Sequence, residues 1–272
     1  MVGFEAVSHS GYGTAAATLG RPDIGLLDMT EMVRQVGSVA KAVEIPVLGD
    51  ADTGFGNAVN VFRTVQEYIR AGAAGLFIED QVLPKRCGHM RGKQVVSKAE
   101  MLGKLRAAMD SRDELDPDFV IMCRTDAIAV NGFEDALDRA KAAADLGVDM
   151  IFVEALETRE QMERVGREIR LPLMLNLIEG GRTPLITYAD AETLGFKYIA
   201  LAVTALSAAA KGMYDVMRRV REDGASNAYL DRLFTFQEFA QVVRLDRFRQ
   251  MEDRYLPSEV LEERYHGDRT II

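Results

Sequence analysis

Ile45-Pro-Val-Leu-Gly-Asp50-Ala-Asp52-Thr-Gly-Phe-Gly-Asn57 is the stretch whose reading decides the fold. Its start, Ile45–Leu48, is a short apolar run of the kind that forms a strand buried on both faces. The run ends in two acids. A segment with helical character, residues 58–71, follows, and Gly75–Ile78 then supply the next apolar run. Strand, polar loop, helix and strand in that order make a parallel unit, because parallel neighbours need a crossover long enough to hold a helix.

The same unit recurs in both directions. Towards the N-terminus, Phe4–Val7 leads into Ser8-His-Ser10-Gly11-Tyr12-Gly13, and residues 28–43 place Met29, Met32, Val33, Val36 and Val39 at a helical period. Towards the C-terminus the spacing predicts a helix at Lys98–Met109 and a strand at Phe119–Cys123 ending in Arg124-Thr-Asp126. A helix at Phe133–Leu146, a strand at Met150–Val153 ending in Glu154, and a helix at Arg159–Ile169 come next. Leu171–Leu175 then ends in Asn176-Leu-Ile-Glu179-Gly-Gly-Arg182. A short helix at Ala189–Leu194, a strand at Phe196–Leu201 and a long helix at Ser207–Arg221 complete the pattern.

Polar residues stand at the carboxyl ends of these runs: Ser10, Asp50 and Asp52, Glu79, Arg124 and Asp126, Glu154, Asn176 and Glu179. In a TIM-type (β/α)8 barrel those ends converge on one face, where a site is assembled from several strands. That is the expected fold class. The sequence offers seven strands where a closed barrel has eight. The expectation is that a first strand and helix, roughly 20 to 30 residues, are missing ahead of Met1. Residues 1–225 are read as the barrel and 226–272 as a helical segment. There Phe234, Phe236, Phe239, Val242, Val243, Leu245, Phe248, Met251 and Tyr255 form an apolar stripe, broken near Arg244, that must bury against its own barrel or a neighbouring subunit.

A net charge of −9 over 272 residues argues against broad electrostatic binding to nucleic acid. The sequence shows no charged-then-apolar leader and no long apolar run, so it is read as cytoplasmic, with no membrane partner. Two cysteines make no disulfide framework, and three histidines show no zinc-type spacing. Any metal should have oxygen ligands. No Gly-x-Gly-x-x-Gly or Walker-type pattern follows a strand.

Two neighbouring carboxylates, Asp50 and Asp52, resist joint ionisation unless a cation compensates, and a partly hydrated Mg²⁺ suits them, with Mn²⁺ as a possible substitute. Side chains two apart on a strand point the same way, which would bring the pair together. Glu79 and Asp80 could complete the shell directly or through water, and Asp23 is a further acid. Arg124, after a buried strand, needs an anion partner and is a natural carboxylate clamp. Asn176 and Glu179 can bond to substrate or to that clamp. The loop Glu79-Asp-Gln-Val-Leu-Pro-Lys85-Arg86-Cys87-Gly88-His89-Met-Arg-Gly-Lys93 sets a cysteine among basic groups, where it can serve as thiolate or acid. Cys123, inside an apolar run, reads as inert.

Taken in order, Ser10-Gly11, Gly20-Arg-Pro-Asp23, Asp50-Ala-Asp52-Thr-Gly54-Phe-Gly56, Ile78-Glu-Asp-Gln81, Lys85-Arg-Cys-Gly-His89, Arg124-Thr-Asp126, Glu154 and Asn176–Pro184 resemble the isocitrate lyase / phosphoenolpyruvate mutase superfamily over nearly the whole chain. The resemblance implies an (α/β)8 barrel whose last helix is exchanged between subunits of a homotetramer, a dimer of dimers. It also implies Mg²⁺ holding an α-keto acid or its enolate, and one more strand and helix before the present start. Lys-x-Cys-Gly-His marks the carbon–carbon lyases of that superfamily, as opposed to its carbon–phosphorus enzymes. Together with Glu179-Gly-Gly it is more similar to the branch of 2,3-dimethylmalate lyase and petal death protein than to 2-methylisocitrate lyases. Ala202 stands where oxaloacetate hydrolases tend to carry serine, and Ser8 where methylisocitrate lyases tend to carry tyrosine.

On this resemblance the substrate is a small dicarboxylate, 2,3-dimethylmalate or a related 2-alkylmalate, split by a retro-aldol reaction. Asp50 and Asp52 would hold the metal, with water-mediated help from Glu79 and Asp23. Cys87 would protonate the leaving carbon, and Lys85, Arg86, Gly88 and His89 would shape the loop or meet the leaving carboxylate. Arg124 would clamp the retained carboxylate, backbone amides after Ser10, at Gly11 and Tyr12, would support the carbonyl oxygen, and Glu154, Asn176 and Glu179 would line the substrate. The alternatives are a 2-methylisocitrate lyase, an oxaloacetate hydrolase and, in a different class, a catalytically silent binding or scaffold barrel.

Overall fold

A computed structural model describes residues 2–268, which fall into two compact units, one ending at Leu206 and the other starting at Ser207. The first unit is built on seven parallel strands: β1 (Val7–Ser8), β2 (Val47–Asp50), β3 (Gly75–Glu79), β4 (Val120–Thr125), β5 (Met150–Val153), β6 (Leu173–Asn176) and β7 (Phe196–Ala200). They pair in chain order, β1 to β7, as one sheet. Helices fill the crossovers: α1 (Gly11–Thr14) and α2 (Met29–Ala42), then α3 (Ala58–Ala71), α4 (Lys98–Leu115), α5 (Ile128–Asn131), α6 (Phe133–Leu146), α7 (Arg159–Glu168) and α8 (Tyr188–Thr193). Asp28 with Glu31 and Asn57 with Asn60 form reciprocal caps that start α2 and α3. The result is a nearly closed TIM-type barrel. Among the described residues β1 and β7 share no ladder, and the Ser8 hydroxyl meets the Tyr198 hydroxyl at 2.9 Å across the seam.

Strand alternation sorts the core into two layers. Leu76, Ile78, Ile121, Cys123 and Ile151 face the helices. Leu48, Phe77, Met122, Phe152, Met174 and Ala200 fill the barrel interior. Two residues beyond those inner positions stand Asp50, Glu79, Arg124, Glu154, Asn176 and Ala202. The period of two thus carries the inner face from packed apolar side chains to polar ones at the carboxyl mouth.

Several boundaries differ from the sequence reading. The first strand is Val7–Ser8, and Phe4 is exposed. Helix α4 runs past Met109 to Leu115, because nothing breaks it until Pro117, whose predecessor Asp116 is extended. Strand β6 starts at Leu173, since Pro172 lacks the N–H a ladder needs.

The second unit holds helical segments: most of α9 (Thr204–Asp223), a short turn at Asn227–Arg232, α10 (Phe236–Val242), α11 (Leu245–Tyr255) and α12 (Ser258–Tyr265). The break expected near Arg244 lies between α10 and α11, where Arg244 has a left-handed φ of 56°. The division at Leu206 falls earlier than the expected 225, and Met213, Tyr214 and Met217 beyond it are exposed. So are Phe234, Phe236, Phe239, Phe248 and Tyr255. No helix among the described residues is long and apolar enough to cross a membrane.

Candidate active site

Four carboxylates meet at the mouth around one ammonium. The backbone N–H of Gly11 donates to Asp50 Oδ2 at 2.9 Å and that of Asp52 to Oδ1 at 3.0 Å. The Tyr68 hydroxyl donates to the Asp50 carbonyl at 2.6 Å. Glycine at 49 makes room for that tyrosine, since a Cβ there would lie 2.7 Å from its ring. Asp52 is not on the strand with Asp50, as simple alternation suggested. It lies past the end of β2 with a φ of 47°, so a turn, not the pleat, brings the two acids together.

Lys85 Nζ lies 2.7 Å from Asp23 Oδ1 and 2.8 Å from Asp52 Oδ1, with all three side chains buried. Burial opposes the lysine's charge, but Asp52, Glu79, Asp50 and Asp23 outweigh it and hold its pKa well above the ordinary value. Asp52 is pushed up to about 7, first by burial, against the pull of Lys85, with Asp50 and Asp23 pushing further. Glu79 is raised well above the carboxylate range, chiefly by burial, even though Arg124 and Lys85 oppose the shift.

Both Glu79 oxygens are buried without a hydrogen bond, although Arg124 Nε stands 3.2 Å from Glu79 Oε2 as an ion partner, and Asp52 Oδ1 has Lys85 as its ion partner. Four acids gathered around Lys85, with Arg124 shared among further acids, resist joint ionisation unless another cation joins them. The donors are all oxygen, which suits a hard divalent cation such as Mg²⁺. Among the described residues no three His, Cys, Asp or Glu side chains converge tightly enough to ligate an ion directly. The residues fit an ion that keeps several waters, which Asp50 and Asp52 would hold, with Glu79 and Asp23 as further oxygen donors.

Arg124 is the opposite pole. Its Nε and Nη2 donate to Asp126 at 2.9 and 3.2 Å, and Nη2 lies 3.6 Å from Glu154 Oε1. The guanidinium sits over the rings of Phe152 and Phe77, 5.1 and 5.9 Å from their centroids. Asn176 Nδ2 donates to both oxygens of Glu154, at 3.2 and 3.3 Å.

The loop after β3 closes over this floor. Buried Gln81 clamps its backbone, donating to the Arg86 carbonyl at 2.7 Å and accepting from the Arg86 N–H at 2.9 Å. Cys87 donates its backbone N–H to the Asp23 carbonyl at 3.1 Å, so the loop and the Asp23 turn move as neighbours. Gly88 rests on the polar pole: a Cβ there would lie 2.3 Å from Glu154 Oε1 and 2.6 Å from Arg124 Nη2. His89 Nδ1 accepts the Arg182 N–H at 2.9 Å, so its proton belongs on Nε2, which faces Glu154 Oε1 at 3.4 Å. Glycine at 181 allows that contact, since a Cβ would lie 2.6 Å from His89 Nδ1.

Burial raises the Cys87 thiol pKa above its ordinary value, although its bond with the His89 backbone and the charge of Arg124 oppose the shift. Of the two states open in the sequence, this favours the protonated thiol, a proton donor. The partly open cavity at the mouth is lined by Ser10, Tyr12, Cys87, Arg124 and Asn176, with Met174, Ala200, Ala202 and Val203 on its apolar side.

Ser10, Gly11, Tyr12, Asp23, Asp50, Asp52, Glu79, Lys85, Cys87, Gly88, His89, Arg124, Glu154 and Asn176 are thus brought together. Arg86 and Glu179 are not: both side chains are exposed, and Glu179 accepts from the Thr204 hydroxyl at 2.7 Å. Sequence reasoning assigned no role to Tyr68, Gln81, Lys93 or Asp126. The Arg-x-Asp spacing was a usable signal for Asp126, because it puts both side chains on one side of the chain.

The family profile described as Phosphoenolpyruvate phosphomutase matches residues 1–221. The chain is 45% identical to 2,3-dimethylmalate lyase of Eubacterium barkeri over 93% of its own length and 87% of that protein. It is 42% identical to the chloroplastic carboxyvinyl-carboxyphosphonate phosphorylmutase of Arabidopsis thaliana, over 93% of this chain and 75% of that one. A crystal structure of 2,3-dimethylmalate lyase superposes with a TM-score of 0.91 at 34% identity, covering 99% of this chain and 88% of the other.

Proposed function

The chain belongs to the phosphoenolpyruvate phosphomutase family, and from that premise we propose that it is a Mg²⁺-dependent carbon–carbon lyase that splits 2,3-dimethylmalate or a related 2-alkylmalate. The observation that carries the reading is Cys87: a half-buried thiol with a raised pKa, held on the loop beside Arg124 in the cavity lining. A carbon–carbon cleavage that leaves a carbanion needs such a donor. Transfer of a phosphoryl group does not.

When bound, a divalent cation near Asp50 and Asp52 would polarise the C2 hydroxyl and its neighbouring carboxylate. Arg124, fixed by Asp126, would orient the substrate; the Gly11 N–H is held by Asp50, which leaves Ser10 and Tyr12 to border the oxygen end. Loss of the hydroxyl proton to a base breaks the C2–C3 bond. Its electron pair passes to C3, which takes the proton from Cys87 Sγ, leaving pyruvate and, from dimethylmalate, propionate. The closed loop keeps water from that carbanion.

The substrate choice is supported by the lining. Met174, Ala200, Ala202 and Val203 offer an apolar wall to an alkyl group. Arg86 is exposed and Lys85 is tied to Asp23 and Asp52, which leaves Arg124 as the cation lining the cavity, a poor match for the third carboxylate of 2-methylisocitrate. Ala202 gives oxaloacetate hydrolysis no hydroxyl at that wall. The test is product release with Mg²⁺ over dimethylmalate, other 2-alkylmalates, 2-methylisocitrate, isocitrate, oxaloacetate and phosphonopyruvate. A phosphonate as best substrate would overturn the assignment.

We also propose that the helical segment packs against a neighbouring copy, in a homotetramer. The support is the row of exposed aromatics, Phe234, Phe236, Phe239, Phe248 and Tyr255, which a lone chain leaves in water. Light scattering tests it: a monomer at micromolar concentration would remove the proposal.

A further inference from the structure

Lys93 lies at the far end of the loop that carries Cys87. Its side chain is 1% exposed, beside an Asp126 side chain that is 0% exposed. A lysine so deeply buried needs defined partners, and it has two. Its Nζ donates to the carbonyl of Gly88, the residue after Cys87, and pairs with Asp126 Oδ1 at 3.2 Å. The same Oδ1 accepts from Arg124 Nη2 at 3.2 Å, while Oδ2 takes Arg124 Nε at 2.9 Å.

We propose that Lys93 is a positioning residue that latches the loop shut by sharing Asp126 with the Arg124 clamp. Two features of the surroundings make the arrangement a latch instead of general packing. Asp126 is held at the base of the loop, its N–H donating to Asp80 Oδ1 at 2.8 Å while the Thr125 hydroxyl and Arg139 hold the other Asp80 oxygen, so it is a stationary anchor. Gly88 is the point where the loop touches Arg124 and Glu154, so the Lys93 bond to its carbonyl sets the height of the neighbouring thiol. Opening strips Asp126 of one of its two cations and leaves the Gly88 carbonyl to water. Closing restores both bonds and returns Cys87 to its place in the same motion. The latch rests on the proposed lyase only for its kinetic consequence; the geometry stands apart from any substrate.

The experiment labels the full chain with iodoacetamide and follows Cys87 and Cys123 separately by peptide mass spectrometry. Cys123 is fully buried in the barrel wall and reports loss of the fold. In Lys93→Met and Lys93→Ala, Cys87 should label roughly tenfold faster than in the wild type while Cys123 stays protected, because breaking a buried pair by removing one partner favours the open loop. Propylammonium, which can enter the space left by Lys93→Ala, should slow the labelling again. Lys93→Gln keeps a donor for Gly88 without the charge and should fall between. Cys87 labelling at the wild-type rate with Cys123 protected would overturn the latch. Equal acceleration at both cysteines in all three variants would do so too, since Lys93 would then hold the fold as a whole. A wrong substrate assignment changes none of these rates; it appears in the product assay alone.

Discussion

Gly88→Ala puts the loop-closing account under direct pressure. The backbone of Gly88 does not have a positive φ, so alanine brings no conformational strain, and its effect is steric. The new methyl would lie 2.3 Å from Glu154 Oε1, 2.5 Å from Glu154 Cγ and 2.6 Å from Arg124 Nη2. Glu154 cannot easily yield, because Asn176 holds both its oxygens, and Arg124 is tied to Asp126. Overpacking of this kind costs about 1 to 3 kcal/mol. Since the loop can relieve it by staying open, the cost falls on closure and not on the barrel. At about 1.4 kcal/mol per factor of ten, kcat/KM should drop by roughly 5- to 140-fold. The melting temperature should hold within a degree or two. Steady-state kinetics on the best substrate, with calorimetry as control, measures both. Wild-type turnover in Gly88→Ala would refute the closed loop as the catalytic state, and a collapse in melting temperature would refute the view that the loop opens independently.

Other outcomes follow from the same geometry. Cys87→Ser and Cys87→Ala should fold normally and lose turnover, as circular dichroism and a product assay would show; unchanged turnover removes the thiol from the mechanism. An acid catalyst works while protonated, and burial raises the Cys87 pKa, so turnover should persist through the alkaline range where an ordinary thiol, at about 8.5, ionises. An alkaline limb below that value in the pH–rate profile would contradict this. Tyr68→Phe leaves the Asp50 carbonyl without its partner and should cost about 1 to 3 kcal/mol by denaturant unfolding, with weaker Mg²⁺ binding by calorimetry. Asp52, raised to about 7 against an unfolded value of about 3.9, binds more protons folded than unfolded between those limits. The metal-free protein should therefore lose stability as pH rises through that window, and Mg²⁺, which competes with the proton, should raise the melting temperature more at pH 8 than at pH 5.5. Equal Mg²⁺ effects at both would argue against Asp52 at the ion.

What the sequence disclosed was set by the strand period. Apolar runs ending in Asp50, Glu79, Arg124, Glu154 and Asn176 could be read because a side chain two residues beyond an inward core position faces the mouth. The Asp50 and Asp52 pairing was reached for the wrong physical reason: the left-handed turn at Asp52 has no signature in residue spacing. Glu179 and Arg86 failed to reach the cavity because each lies outside a strand, where periodicity no longer fixes direction. Lys93 and Gln81 went unassigned because their partners, Asp126 and the Arg86 backbone, are defined by how the loop folds back. The Ser8–Tyr198 contact joins residues 190 apart, beyond any local pattern.

The most direct test of the central claim is to supply Mg²⁺ and 2,3-dimethylmalate in deuterium oxide and follow the products by NMR. The account predicts pyruvate and propionate in equal amounts, with one deuterium on the propionate carbon that Cys87 protonates, and no products from Cys87→Ser. Absence of cleavage across the 2-alkylmalates while phosphonopyruvate is consumed would contradict it.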